Sequence, residues 1–187
     1  MKLEFRLVIW ISALCLGLII CQSGFAQATR LSLEDRVKAA FLYKFCHYIE
    51  WPETAFSSAN APVIIAVVGA DAIAHELEKV TVGHDIKGRS IKVKSYTPDR
   101  LPQQAHLLFI SRAASTQHPD WLKTYSSKPV MLVTDSPNGL DLGSGINFLV
   151  DGDRVRFDIS LTTIKAQQLR IGSPLLSVAR QIRGAEK

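Results

Sequence analysis

The chain has 187 residues, 47% of them hydrophobic and 21% charged, which fits one compact domain with a sizeable core better than two and excludes a disordered polypeptide. Its formal charge is +5 at pH 7. The Lys and Arg residues are scattered, with no basic run and no aromatic-interleaved basic motif, so no nucleic acid is expected as a partner.

In chain order, Lys2 and Arg6 precede an apolar run from Leu7 to Ile20 that ends in CQSGFAQA. This is the pattern of a secretory signal peptide over residues 1–26, with small residues that permit a cut after Ala26 or Ala28. The run of about 14 residues falls short of the ~18 to 20 that a membrane-spanning helix needs. Lipid attachment at Cys21 is disfavoured by the bulky Ile20 before it. Cleavage removes Lys2, Arg6 and Glu4, a net +1, so the +5 falls to +4. It also removes Cys15 and Cys21, which leaves Cys46 alone in an oxidising compartment with no intramolecular disulfide to make. A lone cysteine between Phe45 and His47 in an apolar helix is read as a small buried hydrophobe.

The mature chain opens with a predicted helix. Ser32 and Asp35 form an N-cap with an acidic partner, and Leu33, Val37, Ala40, Phe41, Phe45, Tyr48 and Ile49 recur at helical spacing. Glu34 and Lys38 are expected to pair on its wet side. Pro52 should stop the helix near Trp51. Leu42, Tyr43 and Cys46 widen the apolar face, so the helix needs cover on two sides.

APVIIAVVG is then a strand buried on both faces, AIAHELEKV a short helix, IKVKSY an alternating strand and AHLLFIS a second buried strand. HPDWLKTYSS is helical and PVMLVTD is a third buried strand. SPNGLDLGSG is a turn region, INFLV and RVRFDIS flank DGD as a hairpin, and LTTIKAQQL and PLLSVARQI are helical, with Ser173 as cap and Pro174 in the first turn of the last piece. Buried strands alternating with helices predict a single α/β domain with a largely parallel central sheet flanked by helices, closed by a C-terminal hairpin and helices.

Chemistry is sparsely signalled. There is no G-x-S-x-G elbow, no G-x-G-x-x-G and no phosphate loop of the G-x-x-x-x-G-K-[ST] kind. His47, His75, His84, His106 and His118 are dispersed. Cys46 and His47, adjacent on a helix, diverge by about 100 degrees and do not converge on one metal. Asp151 and Asp153 belong to the hairpin turn. No catalytic residue, metal or cofactor is therefore expected. If the sheet is doubly wound, the carboxyl ends of its strands would gather Gly69, Asp71, Ser111, Arg112, Asp135 and Ser136, the best small-molecule site available. Asp71 and Ser136 are equally ordinary helix-start and turn residues.

Two stretches, VKAAFLYKFCHYIEWP and RVRFDISLTTIKAQQLRIGSPLLSVARQI, resemble the opening helix and the closing strand and helices of the YfiR-like periplasmic proteins, a domain of unknown function. IIAVVG, GRSIKVKSY, LLFIS and VMLVTD fall in the family's order, so the resemblance spans nearly all of the mature chain, about residues 30–184. Three departures stand out. Ser160 occupies a position commonly asparagine, His106 one where many members have cysteine, and Cys46 cannot replace the cysteine pairs of some members. The resemblance implies a non-enzymatic periplasmic repressor. It would bind the periplasmic region of an inner-membrane diguanylate cyclase, lower cyclic-di-GMP and biofilm formation, and pair into homodimers. His47, Trp51 and Glu53, at and beyond the end of the first helix, are the candidate partner contacts, with Trp51 either a core plug or an exposed anchor. The alternative is a periplasmic small-ligand receptor using Asp71, Arg112, Asp135 and Ser136.

Overall fold

A computed structural model describes residues 33–184. The signal peptide expected over 1–26, the start of the domain at 30 and the Ser32 cap lie outside those residues. Helix α1 covers residues 33–48. Its buried stripe is Ala39, Leu42, Phe45 and Cys46, continued by Ile49 just past its end, all fully buried. Leu33 and Tyr48, expected inside, are 57% and 39% exposed, so the buried face is rotated toward Leu42 and Cys46. Lys38 corrects a second expectation: it is not on the wet side but 5% exposed, one and two turns before Leu42 and Phe45 on the same stripe. The helix ends before Trp51 because Ile49–Glu50 form strand β1, paired antiparallel with β9 (Arg170–Ile171).

A short 3-10 turn at Glu53–Ala55 follows. The main sheet then takes β2 (Val63–Val68), β3 (Asp85–Ile86), β4 (Arg89–Tyr96), β5 (Leu107–Ile110), β6 (Met131–Thr134), β7 (Ile146–Asp151), β8 (Arg154–Ser160) and β10 (Gln181–Arg183) in the order β10-β8-β7-β6-β5-β2-β4-β3. Pairings from β4 through β2, β5 and β6 to β7 are parallel, and those of β7 with β8 and of β3 with β4 are antiparallel. Every residue of β2, β5 and β6 is buried, as continuous apolar runs require of strands covered on both faces. The β7–β8 hairpin turns through Gly152, whose φ of +61° suits glycine.

Helices α2 (Asp71–Thr81), α3 (Arg112–Gln117), α4 (Asp120–Tyr125), α5 (Leu161–Ala166) and α6 (Ser173–Val178) complete the set. One face of the sheet packs Val63, Ile65, Val67, Phe109 and Val133 against α1, α2, α5 and α6. The other packs Ala66, Val68, Leu108 and Ile110 against α3 and α4. The chain leaves β2 for β4 on one side and returns to β5 on the other, the switch point of a doubly wound sheet. Gly172, not Ser173, is the N-cap of α6; Ser173 is its first residue and Pro174 its second. Ser160 caps α5, accepting from Thr163 N at 3.3 Å, a role serine fills as asparagine does.

Candidate functional site

Four residues expected together at the strand ends, Ser111, Arg112, Asp135 and Ser136, are together. Ser111 follows β5 and caps α3, accepting from Ala114 N at 3.3 Å. The next amide, Arg112 N, donates to Asp135 Oδ1 at 2.6 Å, and Arg112 Nε donates to the Asp135 carbonyl at 3.2 Å. Lys38 Nζ reaches down from α1 to donate to Asp135 Oδ2 at 2.6 Å. Both carboxylate oxygens are thus engaged by the protein itself. Ser136 follows, its hydroxyl bonded to that of Ser115 and its amide donating to Asn147 Oδ1 at 3.2 Å. The Thr134 hydroxyl donates to the same Asn147 oxygen at 2.7 Å. Asp71 bonds elsewhere, accepting from Ser95 Oγ of β4 at 2.5 Å, so it fastens the start of α2 to the sheet. Gly69 lies where a Cβ would come within 2.7 Å of Ser111 Oγ, at a φ of +70°, and no other residue type fits without movement.

Lys38, Ser115, Thr134 and Asn147 are the members of this network that sequence reasoning missed. A signal for Lys38 existed: it stands four, seven and eleven residues before Leu42, Phe45 and Ile49, which places it on the buried stripe. Beside the network lies a cleft of about 370 Å³ bordered by Arg112, Ser136, Asn147, Arg180 and Arg183. Its charges are largely paired, Arg183 Nη1 with Asp141 Oδ1 at 2.6 Å and Arg180 Nε with Asp158 Oδ1 at 2.9 Å.

The residues after α1 divide by exposure. His47 is exposed and stands edge-on to the Tyr43 ring, 4.8 Å between centroids, with His84 on the same tyrosine at 5.8 Å. Trp51 is half-buried, and its Nε1 donates to the His106 carbonyl at 2.8 Å while its ring meets the His106 ring edge-on. Glu53 is open to solvent, 3.6 Å from Arg89 Nη2. Trp51 and Glu53 border one shallow cleft of about 370 Å³ with Phe56, Ile86 and Arg89; His47 lies outside that lining. The surface offers hydrogen-bonding and aromatic groups suited to contact with a macromolecule. Among the described residues, no group of three or more His, Cys, Asp and Glu side chains comes together as metal ligands, and no helix is long and apolar enough to cross a membrane.

Burial pushes the His106 imidazole below its ordinary pKa, helped by Arg89 and opposed by the Ala55 carbonyl. Burial pushes the Cys46 thiol far up, and its Sγ donates to the Leu42 carbonyl at 3.4 Å. Both thiol and imidazole are thereby held neutral at physiological pH.

No curated protein matches this chain. Residues 35–180 match the family described as YfiR/HmsC-like, DUF4154. That span runs from α1 to the end of α6 and takes in the strand-end network, Trp51 and His106. The chain belongs to the YfiR/HmsC-like family, whose members are periplasmic regulators of signalling.

Proposed function

We propose that this protein is exported by cleavage of residues 1–26 and acts in the periplasm as a repressor by contact. It holds an inner-membrane diguanylate cyclase inactive by binding the cyclase's periplasmic region, and so lowers cyclic-di-GMP and biofilm formation. Membership of a family of signalling regulators carries the reading. The surface at and beyond the end of α1 supports it, because Glu53 presents its carboxylate to solvent beside the half-buried Trp51, an arrangement of anchor and polar rim found at protein interfaces, and His47 is exposed on α1. His47, Trp51 and Glu53 are the proposed contacts, and a homodimer is the proposed resting state. Deleting the gene and measuring cyclic-di-GMP, with and without a cognate cyclase, tests the proposal. The messenger should rise only while the cyclase is present; an equal rise in its absence defeats the reading.

A second reading, a periplasmic small-ligand receptor, is favoured by the cleft of about 370 Å³ beside Arg112 and Ser136. Asp135 would shape that site by fixing Arg112, and Asp71 would act only through the α2 start. A ligand that binds only the folded state raises stability by RT ln(1 + [L]/Kd), so a thermal-shift screen of nucleotides and amino acids separates this reading from the first.

A further inference from the structure

The sheet face covered by α3 and α4 is not covered along its whole width. Lys92 and Lys94 of β4 pair in register with Ile64 and Ala66 of β2, so the two lysines stand on the α3–α4 side of the sheet, about 7 Å apart along the strand. Their neighbours Ile91 and Val93 point the other way, against the core. Beyond the end of α4, Lys128 comes toward the same space with its ammonium 4.8 Å from the Tyr125 ring. Between them lies a groove of about 460 Å³ with Ile64 and Val130 in its wall and Gln103 and Gln104 on its rim.

The charge of this groove is one-sided. Its lining holds Lys92, Lys94 and Lys128 and no carboxylate, and none of the three lysines forms an ion pair among the described residues. The cleft at the opposite strand ends differs, since its arginines are matched by Asp141 and Asp158.

The groove wall is braced at His106. This residue is 6% exposed, and its Nδ1 accepts from Ile64 N at 2.9 Å. The neutral ring that this bond requires carries its proton on Nε2, on the side of the Ala55 carbonyl. The open side of the groove is left to the lysines and the Gln103 and Gln104 amides.

We propose that this groove binds a phosphate-bearing anion, with Lys92, Lys94 and Lys128 neutralising it and the Gln103 and Gln104 amides completing its hydrogen bonds. The chemistry is shared by a soluble phosphate ester and by the headgroup of an anionic phospholipid. Lysine acts on either as a compact point charge, and the apolar wall accommodates the ester's carbon skeleton. The groove adjoins the partner contacts proposed above through Ala55 and His106, but its binding groups are not among them and it does not depend on that reading.

Two probes distinguish the sources: inorganic pyrophosphate by titration calorimetry, and cosedimentation with vesicles of phosphatidylglycerol against phosphatidylcholine. The full-length exported protein is expected to bind at least one of them. K92E/K94E should weaken that binding by about tenfold or more, as reversal of two cations facing a polyanion implies, while K123E on the exposed side of α4 leaves it unchanged. Binding of pyrophosphate alone identifies a soluble ester, and retention on phosphatidylglycerol alone identifies a headgroup; either supports the site. The thermal midpoint reports folding, and K92Q/K94Q replaces the reversal should that variant not fold. Absence of binding to both probes overturns the proposal, as does equal loss in K123E or undiminished binding by K92E/K94E.

Discussion

His106 ties two strand starts together with hydrogen bonds at a position where the family resemblance places a cysteine in many members. Its ring accepts from Ile64 N and its own amide donates to the Ile64 carbonyl, each at 2.9 Å, so one residue fastens the start of β5 to the start of β2. Burial lowers its pKa, and the unfolded chain therefore binds more protons than the folded one between that lowered value and about 6.5. The contribution of this group is complete above about pH 6.5 and is lost as the pH falls. The urea midpoint should drop between pH 7 and pH 5.5, and His106→Asn should flatten that drop; parallel curves for the two proteins would assign the effect elsewhere. Cys46 gives a second prediction at this scale. Fully buried and with its thiol pKa raised, it should be inert to a thiol-reactive dye in the native protein and label within the dead time in denaturant; rapid native labelling would contradict the packing. Its burial was legible because Phe45 and Ile49 mark its surroundings as apolar. The exposure of Tyr48 was not, because helical spacing alone does not say which of two adjacent apolar stripes meets the sheet.

At the scale of elements, the bond from Lys38 to Asp135 ties the first helix to the carboxyl end of β6 and, through Arg112 N, to the start of α3. Both side chains are shielded, at 7% and 18% exposure, so removing one charge leaves the other poorly solvated. Asp135→Ala should cost roughly 3 to 5 kcal/mol in urea unfolding, by the rule for a broken buried pair. The double variant Lys38→Met/Asp135→Asn should recover part of that, because the buried ammonium is gone and the amide can still accept from Arg112 N. A cost below about 1 kcal/mol for Asp135→Ala would show the pair to be solvated. The buried strands β2, β5 and β6 were plain in the sequence because a run of β-branched and aliphatic residues has few other places to go. Strand β10 was not: Gln181, Ile182 and Arg183 are all exposed, and they are extended only because β8 supplies Asp158 to Ser160 as partners. α3 was equally hidden, since RAASTQ buries only Ala114 and Ser115. Both depend on partners distant in sequence, which local pattern cannot supply. The strand-end cluster of Arg112, Asp135 and Ser136 was foreseen from the switch point, while the ammonium that completes it was hidden inside an amphipathic helix.

Across the whole molecule, the candidate docking surface and the core meet at Trp51, and this makes recognition and stability separable by mutation. The indole is packed against the core and donates to the His106 carbonyl, so Trp51→Ala should cost about 3 kcal/mol or more, as loss of a packed aromatic does. The ring of half-buried Tyr43 is the side-chain contact of the exposed His47 among the described residues. Glu53 has a solvent-screened contact 3.6 Å from Arg89, a kind of pair worth about 0 to 1 kcal/mol. His47→Ala and Glu53→Ala should therefore leave the urea midpoint within about 0.5 kcal/mol of the parent. If repression runs through this surface, those two variants will be exported at normal levels, fail to capture the periplasmic region of a cognate cyclase in pull-down, and raise cyclic-di-GMP in cells. Trp51→Ala would lose capture and stability together and so decides nothing alone. Full capture by a stable His47→Ala/Glu53→Ala double variant would move the contact to another face. Stability lost in step with capture in either single variant would return both side chains to the fold's own support.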